Sequence, residues 1–173
     1  MNKKLFLLPA FILGAFLAVT TTSCGDNCKD VECNTGTCVD GTCECGDGYE
    51  GTNCEIEWSA KFLGSYLGTD VVTGGTAGNE GTYNLNAPAV ITKINETTIR
   101  ITNFGGFGSV LDATIDRPAT STASATELTI NSTDPGGRDF VGSASISGNT
   151  LTGSYTVTYD DGTTDIATFT YTK

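Results

Sequence analysis

The chain of 173 residues contains no histidine. That removes the commonest general base and the commonest zinc ligand at neutral pH. Cysteine is missing from every position after Cys54, so the long C-terminal remainder has neither a thiol nucleophile nor a thiolate site for metal. Bases are scarce too: nine Lys and Arg stand against twenty Asp and Glu, a formal net charge of −11. A surface of that sign repels phosphate backbones and offers no polybasic grip on anionic lipid, which argues against nucleic acid as a partner. The helix formers Leu, Lys, Arg, Met and Gln are thin, and no segment beyond the leader carries a helical apolar stripe. A G-x-S-x-G motif is likewise absent. What remains is 22 glycines with frequent Thr and Ser, a composition of strands and turns.

All seven cysteines fall between Cys24 and Cys54. Before them, Lys3 and Lys4 precede an uncharged run from Leu5 to Val19. At 15 residues that run is short of the ~20 needed to span a bilayer, and it has the length and flank of a signal-peptide core. Thr20-Thr21-Thr22-Ser23-Cys24 follows. The arrangement resembles a bacterial lipoprotein signal, with Thr21 where the usual pattern has a large aliphatic residue, as in lipoproteins of the Bacteroidetes type. The resemblance implies cleavage after residue 23 and lipidation of Cys24. Parity agrees, because seven cysteines in an oxidising compartment leave one unpaired, and lipidating Cys24 leaves six.

The six are Cys28, Cys33, Cys38, Cys43, Cys45 and Cys54. Val31, Val39 and Tyr49 are nearly all the apolar content between them, too little to offset chain entropy, so cross-links must stabilise this segment. Six cysteines allow 15 pairings on arithmetic alone. The stretch Cys43-Glu44-Cys45-Gly46-Asp47-Gly48-Tyr49-Glu50-Gly51-Thr52-Asn53-Cys54 meets every position of C-x-C-x-x-G-aromatic-x-G-x-x-C. In this it resembles an epidermal-growth-factor-like (EGF-like) repeat over residues 28–54. The family's pairing would give Cys28–Cys38, Cys33–Cys43 and Cys45–Cys54, with Gly48 and Gly51 in backbone positions that a side chain hinders. Calcium is not expected. The lead-in Gly25-Asp26-Asn27 is short, and the third-to-fourth cysteine spacing does not fit the calcium-binding subclass, so Asp26 and Asp40 read as surface carboxylates.

Beyond Glu55-Ile56-Glu57, Trp58 is placed to pack at a junction. From residue 60 onward, turn signals recur between β-branched runs of period-two alternation. The pattern is clearest where Leu151, Gly153, Tyr155, Val157 and Tyr159 alternate with Thr and Ser, and where Ala167, Phe169 and Tyr171 follow a turn at Asp160-Asp161-Gly162. Phe140, Gly142, Ala144 and Ile146 share one face, as do Leu111, Ala113 and Ile115. Short connections predict an antiparallel meander, closed as an up-and-down barrel or folded as a sandwich. Closure is preferred because it removes edge strands. The stretch Phe62-Leu63-Gly64-Ser65-Tyr66 resembles the opening strand of lipocalin-like domains. The expected organisation is therefore all-β: signal peptide 1–23, lipidated tether 24–27, EGF-like module 28–54, linker 55–59 and barrel-like domain 60–173.

No catalytic residues, cofactor or metal site are expected. Asp160 and Asp161 sit in a turn where Asp is ordinary, and Asp112 and Asp116 face outward from a strand that buries Leu111 and Ile115. The loop Asn103-Phe104-Gly105-Gly106-Phe107-Gly108 sets two aromatics around glycines; they either cap the core or border a pocket. Phe104, Phe107, Tyr66 and Tyr155 are the candidate ligand contacts. An interior filled by Phe140, Tyr155, Val157 and Phe169 would leave no room for a ligand. These features point to a non-catalytic lipoprotein of the bacterial cell envelope, anchored in the outer membrane. Such a protein would present a binding or adhesion domain to an extracellular protein or glycan, or act as a lipocalin-like carrier of a small apolar ligand. Cys24→Ala is expected to release the protein from membranes on fractionation, and persistent tight association would refute the lipid anchor.

Overall fold

The computed structural model describes residues 27–120 and 123–173. The expected leader 1–23 and Cys24, the expected lipidation site, lie outside the described residues. The cysteine-rich segment holds two small hairpins: β1 (Gly36–Val39) with β2 (Thr42–Cys45), and β3 (Tyr49–Glu50) with β4 (Ile56–Glu57). Asp40 and Gly41 turn the first with φ of 50° and 83°, the left-handed pair that a two-residue hairpin loop demands. Disulfides join Cys28 to Cys38, Cys33 to Cys43 and Cys45 to Cys54, the pairing the EGF-like resemblance implies. In loops this short each cross-link contributes about 2–3 kcal/mol. Gly48 and Gly51 have φ of 88° and 99°.

A single 3-10 turn, Trp58–Lys61, leads into the meander. Its strands are β5 (Gly64–Gly75), β6 (Gly81–Asn84), β7 (Ala89–Asn95), β8 (Thr98–Phe104), β9 (Ser109–Ile115), β10 (Glu127–Thr133), β11 (Asp139–Ser147), β12 (Thr150–Thr158) and β13 (Thr164–Thr172). Every pairing is antiparallel, and β13 returns to pair with β5 from Thr172↔Leu67 to Asp165↔Gly75. The sheet thus closes on itself as an eight-stranded barrel of β5 and β7–β13, and the sandwich alternative is set aside. β5 runs unbroken for 12 residues and, on the edge away from β13, serves two partners. Its first residues, Gly64–Tyr66, pair with β7, while Thr69–Val72 pair with β6, a short extension of the wall at one end.

The alternation read from the sequence puts Leu111, Ala113, Ile115, Phe140, Ala144, Ile146, Leu151, Val157, Ala167 and Phe169 inside. Three large rings lie directly opposite glycines across the ladder: Tyr155↔Gly142, Phe169↔Gly153 and Tyr171↔Gly68. A Cβ at Gly153 would meet the Phe169 ring at 2.8 Å, and one at Gly142 the Tyr155 Cβ at 2.8 Å. The glycines give the rings their space, which lets a narrow barrel hold so many aromatics at crystal-like density. Phe104 sits at the centre of them, 4.9 Å from Tyr155, 5.2 Å from Phe169 and 6.0 Å from both Phe140 and Tyr171 by ring centroids.

Strand direction gives the barrel two different ends. The start of β5, the connections 95–98, 115–127 and 147–150, and the end of β13 share one end. This end is closed by Trp58, Phe62 and Tyr66, all buried. The Tyr66 hydroxyl donates to the Phe62 carbonyl (2.8 Å), and the Lys173 ammonium donates to the Lys61 and Leu63 carbonyls (2.6 and 2.9 Å) while lying over the Tyr66 ring. The disulfide segment docks on the same end. The Trp58 backbone N–H donates to the Gly48 carbonyl (2.8 Å), and the Trp58 side chain packs into the barrel core, as its position between the two parts suggests. Arg117 pairs with Asp47, and Lys93 with Glu57 at 2.6 Å.

The strongest part of the joint is Glu50. Its buried carboxylate accepts from Lys61 Nζ (2.7 Å), the Ala125 backbone N–H (2.7 Å) and Ser124 Oγ (2.9 Å). Burial alone raises its pKa, but the hydrogen bonds from Lys61, Ala125 and Ser124 outweigh it, and the net shift is downward. A lowered folded pKa means a stabilising contribution that is complete above the ordinary glutamate range and is lost as pH falls through the lowered value. Glu50→Ala is expected to cost about 1–3 kcal/mol. It should also flatten the acid limb of a stability-against-pH curve followed by fluorescence of the lone tryptophan, Trp58.

Candidate functional site

The opposite end of the barrel is built from loops and stays open. There the segment 75–89, the loop 104–109 and the turn 158–164 surround a cavity of about 570 Å³, with the hairpin loop 133–139 at the same end but outside its lining. That volume lies within the range of small-molecule sites, roughly 300–1,000 Å³. Beneath it the barrel is solid, since Phe140, Tyr155, Val157 and Phe169 are packed together. The interior is thus filled along most of its length and hollow at the mouth.

The loop 103–108 shapes one wall. Asn103 takes a left-handed backbone (φ 58°) at a bulge, where the pairing of β8 with β9 slips between Thr102 and Phe104. The extra residue reverses the alternation set by Ile99 and Ile101, so Phe104 turns inward and Asn103 turns to the rim. Asn103 Nδ2 donates to the Ala87 carbonyl (2.8 Å), and its Oδ1 accepts from Gly108 N–H (3.2 Å), tying the loop to the segment before β7. Phe107 lines the cavity and is held from behind by Arg138, whose guanidinium lies 5.0 Å from the ring centroid and donates to the Phe107 carbonyl (3.3 Å). Arg138 is itself bound by the buried Asp134, at 2.6 Å from Nη2 and 2.9 Å from Nε. Asp134 also accepts from Ser109 Oγ (2.9 Å) and from the backbone of Gly136 and Arg138. Burial raises the Asp134 pKa, the Arg138 and Ser109 hydrogen bonds lower it more, and the carboxylate stays ionised.

Two further acids reach the cavity from inward positions. Asp70, on β5, is 2% exposed and accepts from the hydroxyls of Tyr155 (3.0 Å) and Tyr171 (2.9 and 2.8 Å). The Tyr171 hydroxyl in turn accepts from Gly105 N–H (3.1 Å), which couples the network to the loop. Asp165, on β13, is also 2% exposed. Its Oδ2 accepts from Tyr159 (2.8 Å) and from the exposed Asn79 amide (2.9 Å), and its Oδ1 is buried with no hydrogen-bond partner. Tyr83 completes the rim, its hydroxyl on the Asn79 carbonyl at 2.8 Å. Burial raises the Tyr155 and Tyr171 phenols far above their ordinary range, with the Asp70 charge adding to it. Burial and the hydrogen bond to Asp165 push Tyr159 up to about 12. At neutral pH the phenols are therefore donors, and the cavity offers hydroxyls, amides, two buried carboxyl groups and aromatic faces.

Of the four expected ligand contacts, Tyr155 and Phe107 line this cavity. Phe104 and Tyr66 do not. Both are fully buried, Phe104 because the Asn103 bulge turns it into the core and Tyr66 because it belongs to the closed end. Asp70 and Asp165 were not among the expected residues, although both stand in phase with buried neighbours: Tyr66, Asp70 and Val72 on one strand, and Asp165, Ala167, Phe169 and Tyr171 on the other. The remaining acids hold ordinary structural positions. Asp112 pairs with Arg100 across the outer face, Asp116 accepts from Thr129, and Asp161 closes its own turn on Thr163. Among the described residues no three His, Cys, Asp or Glu side chains come together as metal ligands. No known family model matches the chain, and a search of characterised proteins finds no significant relative.

Asp70 gives a second pH test. Burial raises its pKa, and the two tyrosine hydrogen bonds lower it less, so the net shift is upward. The folded protein then holds this proton more tightly than the unfolded chain, and stability declines as pH rises from the ordinary aspartate range through the raised value. Urea unfolding of Asp70→Asn should show a smaller loss of stability than the parent between pH 4 and pH 7 (about those values). An identical loss in both would mean that Asp70 titrates normally.

Proposed function

We propose that this chain is a non-catalytic binding lipoprotein of the bacterial envelope that holds a small ligand in the mouth of its barrel. The single observation that carries the reading is the open cavity at the barrel end opposite the disulfide segment. Lipidation at Cys24 would tether the chain in the outer membrane. The segment 28–54, read as an EGF-like collar by its disulfide pairing and its Gly-Tyr-x-Gly turn, would then sit against the membrane and direct the mouth away from it. Only Gly25, Asp26 and Asn27 separate Cys24 from Cys28, a reach on the order of 10 Å. The clamp at Glu50 and the Trp58 contact support a fixed orientation rather than a loose string of domains.

A lipocalin-like carrier would use the same eight-stranded meander barrel. The lining favours a polar ligand over the apolar one expected, because Asp70, Asp165, Asn79, Asn84, Asn86 and Asn103 all border the cavity. The aromatic faces of Tyr83, Phe107 and Tyr159 would supply stacking area. The tyrosines and carboxyl groups serve recognition in this reading, not bond making. The phenols are pushed too high to act as bases at neutral pH, and their hydrogen bonds fix the carboxyl groups in place.

Screening a library of small polar fragments by NMR tests the site. Shift changes are expected to gather on Tyr83, Asn84, Asn103, Phe107 and Tyr159. Binding that maps to the outer barrel wall or to residues 28–54, with the mouth silent, would refute the pocket.

A further inference from the structure

The cavity has an electrostatic imbalance. Two carboxyl groups, each 2% exposed, stand at its base and side, and among the described residues no base lines it. The six bases after residue 58 are engaged elsewhere. Lys61 binds Glu50, Lys93 binds Glu57, Arg100 binds Asp112, Arg117 binds Asp47, Arg138 binds Asp134, and Lys173 donates to two carbonyls at the closed end. The rim loops add Glu80, Asp160 and Asp161 without a compensating base other than Arg138, which Asp134 already neutralises. A buried carboxylate is costly to leave without a positive partner. Asp165 shows this most directly, since one of its oxygens is buried with no hydrogen-bond partner while the other is held by neutral donors, Tyr159 and the exposed Asn79 amide.

We propose that the mouth is a receptor for a small organic cation, an amine or quaternary ammonium compound, whose charged head is seated against Asp165 and whose body lies among Tyr83, Phe107 and Tyr159. The inference rests on the reading of the mouth as a ligand site and names the chemistry of that ligand. An ammonium group supplies what Asp165 lacks: positive charge, with up to three N–H donors if it is a primary amine. The Asn79 side chain, on an exposed connection, is the neutral donor that the ammonium would displace from the carboxylate. Aromatic rings suit a cation, because their faces carry the negative end of the quadrupole. Asp70 lies below as an acceptor, its carboxyl group fixed by the hydroxyls of Tyr155 and Tyr171. The acidic rim concentrates cations at the opening before they enter.

The test uses the full chain with 2-phenylethylamine, putrescine and choline, set beside two controls of matched size, neutral 2-phenylethanol and anionic phenylacetate. Calorimetry gives affinity, and NMR shifts of Tyr83, Phe107 and Tyr159 give the place. At least one ammonium compound is expected to bind in the mouth roughly tenfold or more tighter than both controls. Asp165→Asn should weaken that binding by a similar factor. Should Asp165→Asn fail to fold, Asn86→Lys tests the same point from an exposed rim position by delivering a positive charge to the cavity; it too should weaken binding about tenfold or more. Equal affinity for the neutral or anionic control, or unchanged affinity in a folded Asp165→Asn or Asn86→Lys protein, overturns the proposal. If no ammonium probe binds at millimolar concentration while neutral polar fragments still shift the mouth, the cation fails and the pocket stands. If nothing at all binds there, both readings fail.

Discussion

The pairing of β13 with β5 is the constraint on which the rest of the molecule depends. Without it the strands form a curled sheet with two raw edges and a one-sided core. With it, Tyr171 lies across from Gly68, Phe169 across from Asp70, and Asp165 across from Gly75. One ladder therefore closes the barrel and also sets Asp70 and Asp165 on neighbouring strands, with Tyr171 beside Asp70. The same pairing sets the internal width, so the aromatic rings need glycines opposite them. Fold and site share their structural elements here, and a change that opens the seam would be expected to lose both.

Most of the architecture was legible because two local codes are unusually clean. Alternating apolar and Thr/Ser residues identified the faces of β9, β11, β12 and β13, and the Cys-x-Cys and Gly-Tyr-x-Gly spacing carried the resemblance to an EGF-like repeat, which implied the disulfide pairing. The site was less legible for three physical reasons. A bulge at Asn103 reversed the side-chain phase, which hid the inward turn of Phe104. Tyr66 belongs to the closed end, and end assignment depends on strand order around the barrel rather than on any local pattern. Asp70 and Asp165 did carry a signal, an acid in register with buried positions, but such a residue looks like a break in the pattern until the strand opposite is known.

Polar groups are distributed unevenly along the barrel axis. At the closed end the buried carboxylate of Glu50 meets a lysine, and the lysine at residue 173 meets carbonyls, so charge is balanced where the two parts of the chain join. In the middle the core is aromatic and aliphatic. At the mouth, acids meet phenols and amides instead of bases, except where Arg138 and Asp134 pin the Phe107 loop. The pKa values of Glu50 and Asp70 are consequently shifted in opposite directions, down and up. The joint is best formed when its carboxylate is ionised, and the mouth is least stressed when its carboxyl group holds a proton.

The two ends also differ in what they would tolerate over evolutionary time. The closed end is bound by disulfides, an ion-pair clamp and a buried tryptophan, so a substitution there meets several partners at once. The mouth end is made of four connections, 75–89, 104–109, 133–139 and 158–164, of which 75–89 carries the short paired strand β6 and the others lie beyond the ladder. Loops in such a position can change length and sequence while the barrel beneath keeps its hydrogen bonds. A chain of this design can diversify its ligand by exchanging rim loops, with the inward acids of β5 and β13 retained or lost as a separate step.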